Sequence, residues 1–236
     1  MSLDEVFKDP TKVSAFLNTC YNNLPRKGYF YWGWDPAPVS LSDDAWTSGD
    51  GGSGAAPRMY QGRASASDHP VRDAWLDSEQ NTTWCTNNYW TRYWQQIRLC
   101  SQFIENIDNA AVISEVDRDR LRAEAHVLRA YFYSELVKWF GALPVVRESI
   151  AFDSDFSTMR RESVYEVAKF IEEDCDAAIY SDNLPWRITT ASENLRATKA
   201  LSWASKSKMM RFAASPLFNE GEDHWAEAYE MNRDAV

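Results

Sequence analysis

The sequence predicts a mainly α-helical fold in which amphipathic helices are arranged in pairs. Apolar residues recur at steps of three and four in six segments, which indicates helices with one buried face. Capping residues precede several of these segments, and proline or glycine follows them. Most of the segments are joined by short turns, which favours a helical-repeat scaffold. With 236 residues, the chain is long enough to bury a sizeable core.

The first predicted helix begins at Asp9-Pro10, an N-cap residue followed by a proline suited to a first turn. Its apolar stripe ends before Pro25 and consists of Val13, Phe16, Leu17, Cys20, Tyr21 and Leu24. From about residue 26 to 83, Gly, Ser, Asp and Pro predict a long irregular loop region. Loops longer than about 12–15 residues are usually functional or disordered, and the many aromatic residues here argue against disorder.

The second and third predicted helices follow this loop region. The second spans about five turns with an apolar stripe of Trp90, Tyr93, Ile97, Cys100, Ile104 and Ile107. In the third predicted helix, Asp117 is the expected N-cap. Gly141 is expected to end the helix, and Pro144 prevents the helix from resuming. Its stripe consists of Leu121, Ala125, Leu128, Phe132 and Leu136. Both patterns predict one face packed against a neighbouring helix.

Three further helices complete the pattern. One opens with a capping box, Ser163 to Glu166, and buries Val164, Val167, Ile171, Cys175 and Ile179. The next starts at Thr198 and stops at Ser215-Pro216, and the last begins near His224. Because the chain ends inside this last periodic pattern, we expect residues 1–236 to be the N-terminal part of a single longer domain.

The net charge and the cysteines limit the classes of function that the protein can have. The formal net charge is -10, which argues against nucleic acid because a phosphate-binding face needs concentrated Lys and Arg. The four cysteines are widely spaced, show no CxxC motif, and are expected to be buried free thiols, although the position of Cys85 is the least explained.

No catalytic or metal motif stands out. The three histidines lie in no HExxH or nucleophile-elbow context, and His126 is expected to be a helix-packing residue. The acidic run from Glu172 to Asp174 is expected to form a solvated face. Asp43, Asp44 and Asp50 carry the oxygen ligands that calcium prefers, but their spacing matches no EF-hand, so no cofactor is predicted and calcium stays open.

Eleven tryptophans are an unusual number and divide into two sets. Those on predicted helices are expected to pack in the core: Trp90, Trp94, Trp139, Trp203 and Trp225. Those on loops can either pack or present a ring to a sugar: Trp32, Trp34, Trp46, Trp75, Trp84 and Trp186. Of these, Trp32 and Trp34, in the aromatic stretch YFYWGWDP, are expected to anchor the loop rather than to bind a ligand.

Five segments, in order along the chain, resemble the SusD/RagB family of surface lipoproteins that bind glycans. They are LDEVFKDPTKVSAFLNTCYNNLP (3–25), YWTRYWQQIRLCSQFIENID (89–108), RLRAEAHVLRAYFYSELVKWFGALPVV (120–146), RRESVYEVAKFIEEDCDAAIYSDNLP (160–185) and RATKALSWASKSKMMRFAASPLFNEG (196–221). The resemblance implies a SusD-like fold of tetratricopeptide-like helix pairs with long irregular loop insertions.

The resemblance also implies a function without catalysis. Family members bind glycan, dock on a SusC-like TonB-dependent transporter, and lie at the cell surface of the outer membrane through an N-terminal lipid anchor. The signal and lipidation cysteine of such an anchor are absent from this sequence. By position, the expected sugar contacts are the stacking rings of Trp75 and Trp84, hydroxyl partners on Arg72, Asn87 and Asn88, and an outlying platform at Trp46.

Two alternatives remain open at this point. The chain could be a helical-repeat scaffold that binds only protein, in which case the loop rings would play no part in ligand capture. It could also be an α-helical glycosidase, but that function needs two carboxylates at a defined separation, and the sequence places no such pair.

Overall fold

The computed structural model describes residues 3–22, 24, 62, 89–151 and 153–234. The α-helices in these ranges are α1 (Leu3–Val6), α2 (Pro10–Asn22), α3 (Tyr89–Asn106), α4 (Glu115–Phe140), α5 (Val164–Ile179), α6 (Lys199–Ala213) and α7 (Trp225–Asp234). Within the same ranges, the only β feature is an isolated bridge between Leu143 and Glu162. The predicted mainly α fold is therefore confirmed.

The chain divides into two compact units, one formed by residues 1–23 with 93–236 and the other by residues 24–92. The described helices belong to the first unit, apart from the first turn of α3. Residues 26–83 lie almost wholly outside the described residues, so the predicted loop region stays a prediction. The same holds for the expectation that residues 1–236 are part of a single longer domain.

The helix starts follow the capping chemistry of the sequence, with one correction. Asp9 caps α2 by accepting a hydrogen bond from the backbone N–H of Thr11 at 2.9 Å. The N-cap of α4 is Ser114 rather than the predicted Asp117, because the Ser114 hydroxyl accepts the backbone N–H of Asp117 at 3.0 Å. Asp117 thus lies in the first turn, where its negative charge still favours the helix dipole.

The other predicted helix ends are confirmed. Ser163 and Thr198 cap α5 and α6 through their side-chain oxygens, which accept the backbone N–H groups of Glu166 and Leu201. Gly141 ends α4 with a φ of 67°, a left-handed conformation that residues with a Cβ rarely adopt. The predicted helix positions are therefore correct to within a few residues from α2 to α7.

The core forms where each helix from α4 to α7 packs against the next one along the chain. Aromatic pairs mark these contacts: Tyr93 of α3 lies 5.4 Å from Phe132 of α4, and Tyr133 of α4 lies 5.0 Å from Phe170 of α5, measured between ring centroids. At the α2 end, Tyr21 packs against a small apolar cluster on α4, α5 and the connection to α6: Ala123, Val127, Ala178, Leu184 and Ala197.

A buried ion pair joins α4 to α5 inside this core. The guanidinium of Arg129 donates two hydrogen bonds to the carboxylate of Asp174, from Nε at 2.8 Å and from Nη2 at 2.7 Å. Nη1 of Arg129 donates to Ser101 Oγ on α3 and to the carbonyl oxygen of Arg147, each at 2.9 Å. His126 Nδ1 lies 2.7 Å from Asp174 Oδ1, the same oxygen that accepts from Arg129 Nη2.

This network corrects one prediction and supports another. Asp174 belongs to an acidic run that was expected to face solvent, but its side chain is buried because it neutralises Arg129. Glu173 alone of that run is exposed, where it pairs with Arg147, and Glu172 is half-buried between Lys169 and Lys206. His126 packs between helices as predicted.

Other packing predictions have mixed outcomes. Cys20, Cys100 and Cys175 are buried free thiols, as expected, whereas Cys85 lies outside the described residues. The core prediction is wrong for Trp139 and Trp225, which are exposed, because each lies on the outer side of its helix. Among the described residues, no helix is both long and apolar enough to cross a membrane.

We predict that Arg129→Met strongly destabilises the protein. The change leaves the carboxylate of Asp174 buried without its main partner, which typically costs about 3–5 kcal/mol. Urea unfolding measures this loss. Arg233→Met, which removes an exposed partner of Glu230, is the matched control and should change the unfolding free energy by about 0–1 kcal/mol. Equal effects of the two variants would contradict the prediction, as would failure of Arg129→Met/Asp174→Leu to recover stability.

We also predict that Asp174 contributes to acid unfolding. Burial raises the pKa of Asp174, but the hydrogen bonds from Arg129 and His126 outweigh it and hold the pKa below its usual value. A depressed pKa in the folded state gives stability that is present above the unfolded pKa of about 3.9 and is lost as the pH falls through the folded pKa.

Urea unfolding of wild type and Asp174→Asn across this range measures the effect. The difference in unfolding free energy between them should shrink as the pH falls below about 4. A difference that stays constant from neutral pH downwards would show that Asp174 does not titrate with folding.

Candidate functional site

The residues predicted to bind ligand lie outside the described part of the chain. These are Trp46, Arg72, Trp75, Trp84, Asn87 and Asn88. The three aspartates considered for calcium, and the tryptophans of YFYWGWDP, also lie outside it. Asn87 and Asn88 directly precede Tyr89, the first residue of α3. Their assignment as a sugar site therefore stays a prediction.

Within the described residues, a concave site forms where the turn after α5 meets the start of α4. We call it the Tyr180 pocket; it has a volume of ≈ 420 Å³. Its lining comes from α4 and the segment before it, and from the turn that follows α5: Asp108, Glu115, Val116, Arg118, Asp119, Arg122, Tyr180, Ser181, Asp182 and Asn183. The pocket thus belongs to one compact unit.

Asp119 is the polar centre of the Tyr180 pocket. Its Oδ2 accepts three hydrogen bonds from the turn after α5: from Ser181 Oγ at 2.6 Å, from the Asn183 backbone N–H at 3.2 Å and from Asn183 Nδ2 at 2.8 Å. Burial raises the pKa of Asp119, but these donors more than compensate, so its pKa is lowered and the group is a carboxylate at neutral pH. The three bonds hold the carboxylate in one orientation.

The basic side chains of the pocket are also held in place. Arg118 donates from Nη1 to the carbonyl oxygens of Ala110 and Ile113, at 3.3 Å and 3.1 Å. Arg122 pairs with the exposed carboxylate of Asp108. Arg118 is therefore anchored by backbone groups outside α4, whereas the exposed pair of Arg122 with Asp108 adds little.

Tyr180 and Asp182 have no such anchors. Tyr180 ends α5 and exposes 78% of its surface. Neither the hydroxyl of Tyr180 nor the carboxylate of Asp182 has a hydrogen-bond or ion-pair partner among the described residues. The Tyr180 ring therefore offers an exposed apolar face with a polar tip beside the polar groups of the pocket.

A second exposed region consists of the connection between α5 and α6 together with the start of α6. We call it the Trp186 segment, residues 185–201. Trp186 is 58% exposed, which excludes the alternative that this loop tryptophan packs in the core. Its ring lies 6.0 Å from the Nζ of Lys199, a cation–π contact. Leu195 is 93% exposed and has a φ of 73°, a strained conformation for a residue with a Cβ. Leu201 is also exposed.

The described histidines have partners that explain their positions. His126 contacts Asp174, and His224 stacks on the ring of Tyr165 with centroids 3.8 Å apart and planes 9° from parallel. Among the described residues, no three His, Cys, Asp or Glu side chains are placed to hold a metal ion.

The chain belongs to the SusD-like family. Residues 54–212 match a family model described as starch-binding and associating with the outer membrane, and this range is more than half of the chain. The resemblance found in the sequence is thus confirmed. Comparison with curated proteins gives no significant match.

Solved structures show the same fold. A SusD-like protein from Bacteroides fragilis is 25% identical, with a TM-score of 0.67 over 98% of this chain and 40% of its own. Surface glycan-binding protein A from Bacteroides fluxus is 22% identical, with a TM-score of 0.62 over 86% of this chain and 40% of its own. A laminarin-binding SusD-like protein is 22% identical, with a TM-score of 0.61 over 88% of this chain and 41% of its own. The chain therefore spans about 40% of the length of these proteins.

Sequence reasoning missed the Tyr180 pocket. The signal available was the tetrapeptide Tyr180 to Asn183, a turn-forming sequence with an aromatic residue at the end of a strongly predicted helix. What the sequence does not reveal is that Asp119 lies beside this turn, 62 positions before Ser181.

Proposed function

We propose that the protein is a non-catalytic glycan-binding protein of the outer-membrane surface, which captures oligosaccharides or polysaccharides and delivers them to a SusC-like TonB-dependent transporter. The observation that carries this proposal is the family match over residues 54–212, whose description is starch-binding and associating with the outer membrane. Two structurally similar proteins are named for glycan binding and laminarin binding, which supports a carbohydrate ligand.

The proposed ligand site is the one predicted from the sequence. Five of its six residues lie within the matched range: Arg72, Trp75, Trp84, Asn87 and Asn88, with Trp46 before it. Tryptophan offers a flat apolar face to the C–H side of a sugar ring, while guanidinium and amide groups bond its hydroxyls. A lipid anchor on the full-length protein would hold this site at the cell surface.

We predict that Trp75→Ala/Trp84→Ala weakens glycan binding by the full-length protein at least about tenfold, since a buried aromatic contact at a binding hot spot is worth about 2 kcal/mol. Affinity electrophoresis against neutral and acidic polysaccharides measures the change. Trp186→Ala is the matched control, because Trp186 is exposed but outside the predicted site.

Two results would count against the proposal in different ways. Unchanged binding by Trp75→Ala/Trp84→Ala would move the site elsewhere while keeping glycan binding. Failure of the wild-type protein to bind any polysaccharide, oligosaccharide or glycoprotein glycan in the panel would contradict the function itself.

A second candidate function is that of a helical scaffold that binds only protein. The Trp186 segment favours it, because Trp186, Leu195 and Leu201 expose apolar side chains on a single short stretch of the chain. In the leading proposal, the same segment has a role as part of the surface that contacts the transporter.

We predict that Trp186→Ala/Leu195→Ala weakens co-purification of the transporter while leaving glycan binding unchanged. Trp75→Ala/Trp84→Ala should show the opposite pattern. Quantitative pull-down from membranes, followed by affinity electrophoresis of the same variants, separates the two surfaces. If Trp186→Ala/Leu195→Ala loses transporter contact and the wild-type protein binds no glycan, the scaffold function is favoured.

A further inference from the structure

We propose that the Tyr180 pocket is a second carbohydrate-contact site, and that it accepts neutral sugar units. It shares no residue with the site predicted at Trp75 and Trp84. The inference rests on the proposed function, because it assumes that the protein meets glycans. What it adds is a second site, which the family match does not place.

The ring of Tyr180 is the first part of the argument. Sugar rings present C–H groups on one face, and an exposed aromatic ring offers a complementary apolar surface with a polar tip. Tyr180 leaves 78% of its surface exposed at the edge of the pocket, so the ring can be covered by a ligand without any rearrangement of the helices. Its hydroxyl has no partner among the described residues and remains available to a sugar hydroxyl.

The second part is the arrangement of fixed polar groups around this ring. All three donors to Asp119 reach Oδ2, which leaves Oδ1 without a hydrogen bond among the described residues. Arg118 uses only Nη1 for the two carbonyl groups, so its remaining N–H groups are likewise unused within the described chain. A fixed acceptor and a fixed donor form charge-assisted hydrogen bonds with hydroxyls, and little conformational entropy is lost on binding.

A purely structural role explains part of this arrangement but not the whole. The bonds from Ser181 and Asn183 to Asp119 tie the turn after α5 to α4, and helix packing alone could require them. Packing does not require an exposed ring at Tyr180 or an exposed carboxylate at Asp182 beside it. Both groups are therefore available to a ligand in the pocket.

The charge of the lining selects the class of sugar. Four acidic side chains, Asp108, Glu115, Asp119 and Asp182, face two basic ones, Arg118 and Arg122. The excess of two negative charges repels uronate and sulfated units, whereas neutral hydroxyls can bond to both kinds of group. The pocket is therefore suited to neutral hexose or pentose units.

NMR of the full-length protein tests the proposal, with the assigned side-chain amide of Asn183 as a local reporter inside the pocket. The probes are maltohexaose, laminarihexaose, cellohexaose and xylohexaose, with hexagalacturonate as the anionic comparison. We expect at least one neutral probe to shift the Asn183 signals with saturation, and hexagalacturonate to leave them unmoved. Tyr180→Ala should weaken this response about tenfold, as expected for loss of one ring contact.

Three control variants give the test its specificity. Tyr180→Phe keeps the ring and should keep most of the response. Tyr229→Ala removes another exposed tyrosine, 65% exposed on α7 and outside the pocket, and should change nothing. Trp75→Ala/Trp84→Ala should lose binding at the predicted loop site but retain the Asn183 response.

The outcomes separate this inference from the proposed function. If wild type binds a neutral probe and the Asn183 signals never move, the second site is overturned while the proposed function stands. If the signals move only in response to hexagalacturonate, or move equally in Tyr180→Ala, the assignment to neutral sugars stacked on Tyr180 is wrong. If no probe binds wild type at all, the second site is overturned, and the proposed function is decided by the wider glycan panel described above.

Discussion

The described helical unit depends on the buried pair between Arg129 and Asp174. Both side chains lie in the core, where an isolated charge would lose its hydration and destabilise the fold by several kcal/mol. The pair is tolerated because every strong donor and acceptor has a partner: Ser101 on α3, the carbonyl of Arg147, and His126 on α4 complete the set. One guanidinium therefore ties α3, α4, α5 and the segment after α4 into a single geometry.

This constraint bears on function because it fixes the relative placement of α4 and α5. Asp119 and Arg118 lie two to three turns before Arg129 on α4, and Tyr180 lies less than two turns after Asp174 at the end of α5. The two sides of the Tyr180 pocket are thus the start of α4 and the end of α5. The ion pair joins these same two helices further along their length. A ligand site built on such ends is held more firmly than one built on a free loop.

Most of the helical fold is predictable from local sequence, because apolar periodicity and capping are local properties. Ser163, Thr198 and Gly141 each act within a few residues of themselves, and the sequence identifies all three. Errors arise where a partner is distant. Asp174 reads as part of a solvated acidic run, since its partner Arg129 lies 45 positions away. The error at the start of α4 is of another kind: Ser114 and Asp117 are both good cap residues, so the local pattern does not choose between them.

The same distinction applies to the sites. A loop-borne tryptophan can be recognised as a candidate sugar contact by its own surroundings, but a pocket assembled by Asp119 and Asn183 requires knowledge of which helices pack together. The tryptophans on helices show the limit of periodicity as well. Trp139 and Trp225 lie on predicted helices and were expected in the core, yet they are exposed, because membership of a helix does not decide which face a residue occupies.

The physical character of the Tyr180 pocket is also consistent with a protein that passes its ligand on. A protein that delivers a glycan must release it, and differences in affinity among related complexes reside mostly in the dissociation rate. One exposed ring and a few solvent-exchanging hydrogen bonds each contribute only about 1 kcal/mol, which gives weak and rapidly reversible contacts. A deep apolar cavity would bind more tightly but hold its ligand longer. If the pocket binds sugar as we propose, its open form favours fast release, while the charge of its lining provides the selectivity.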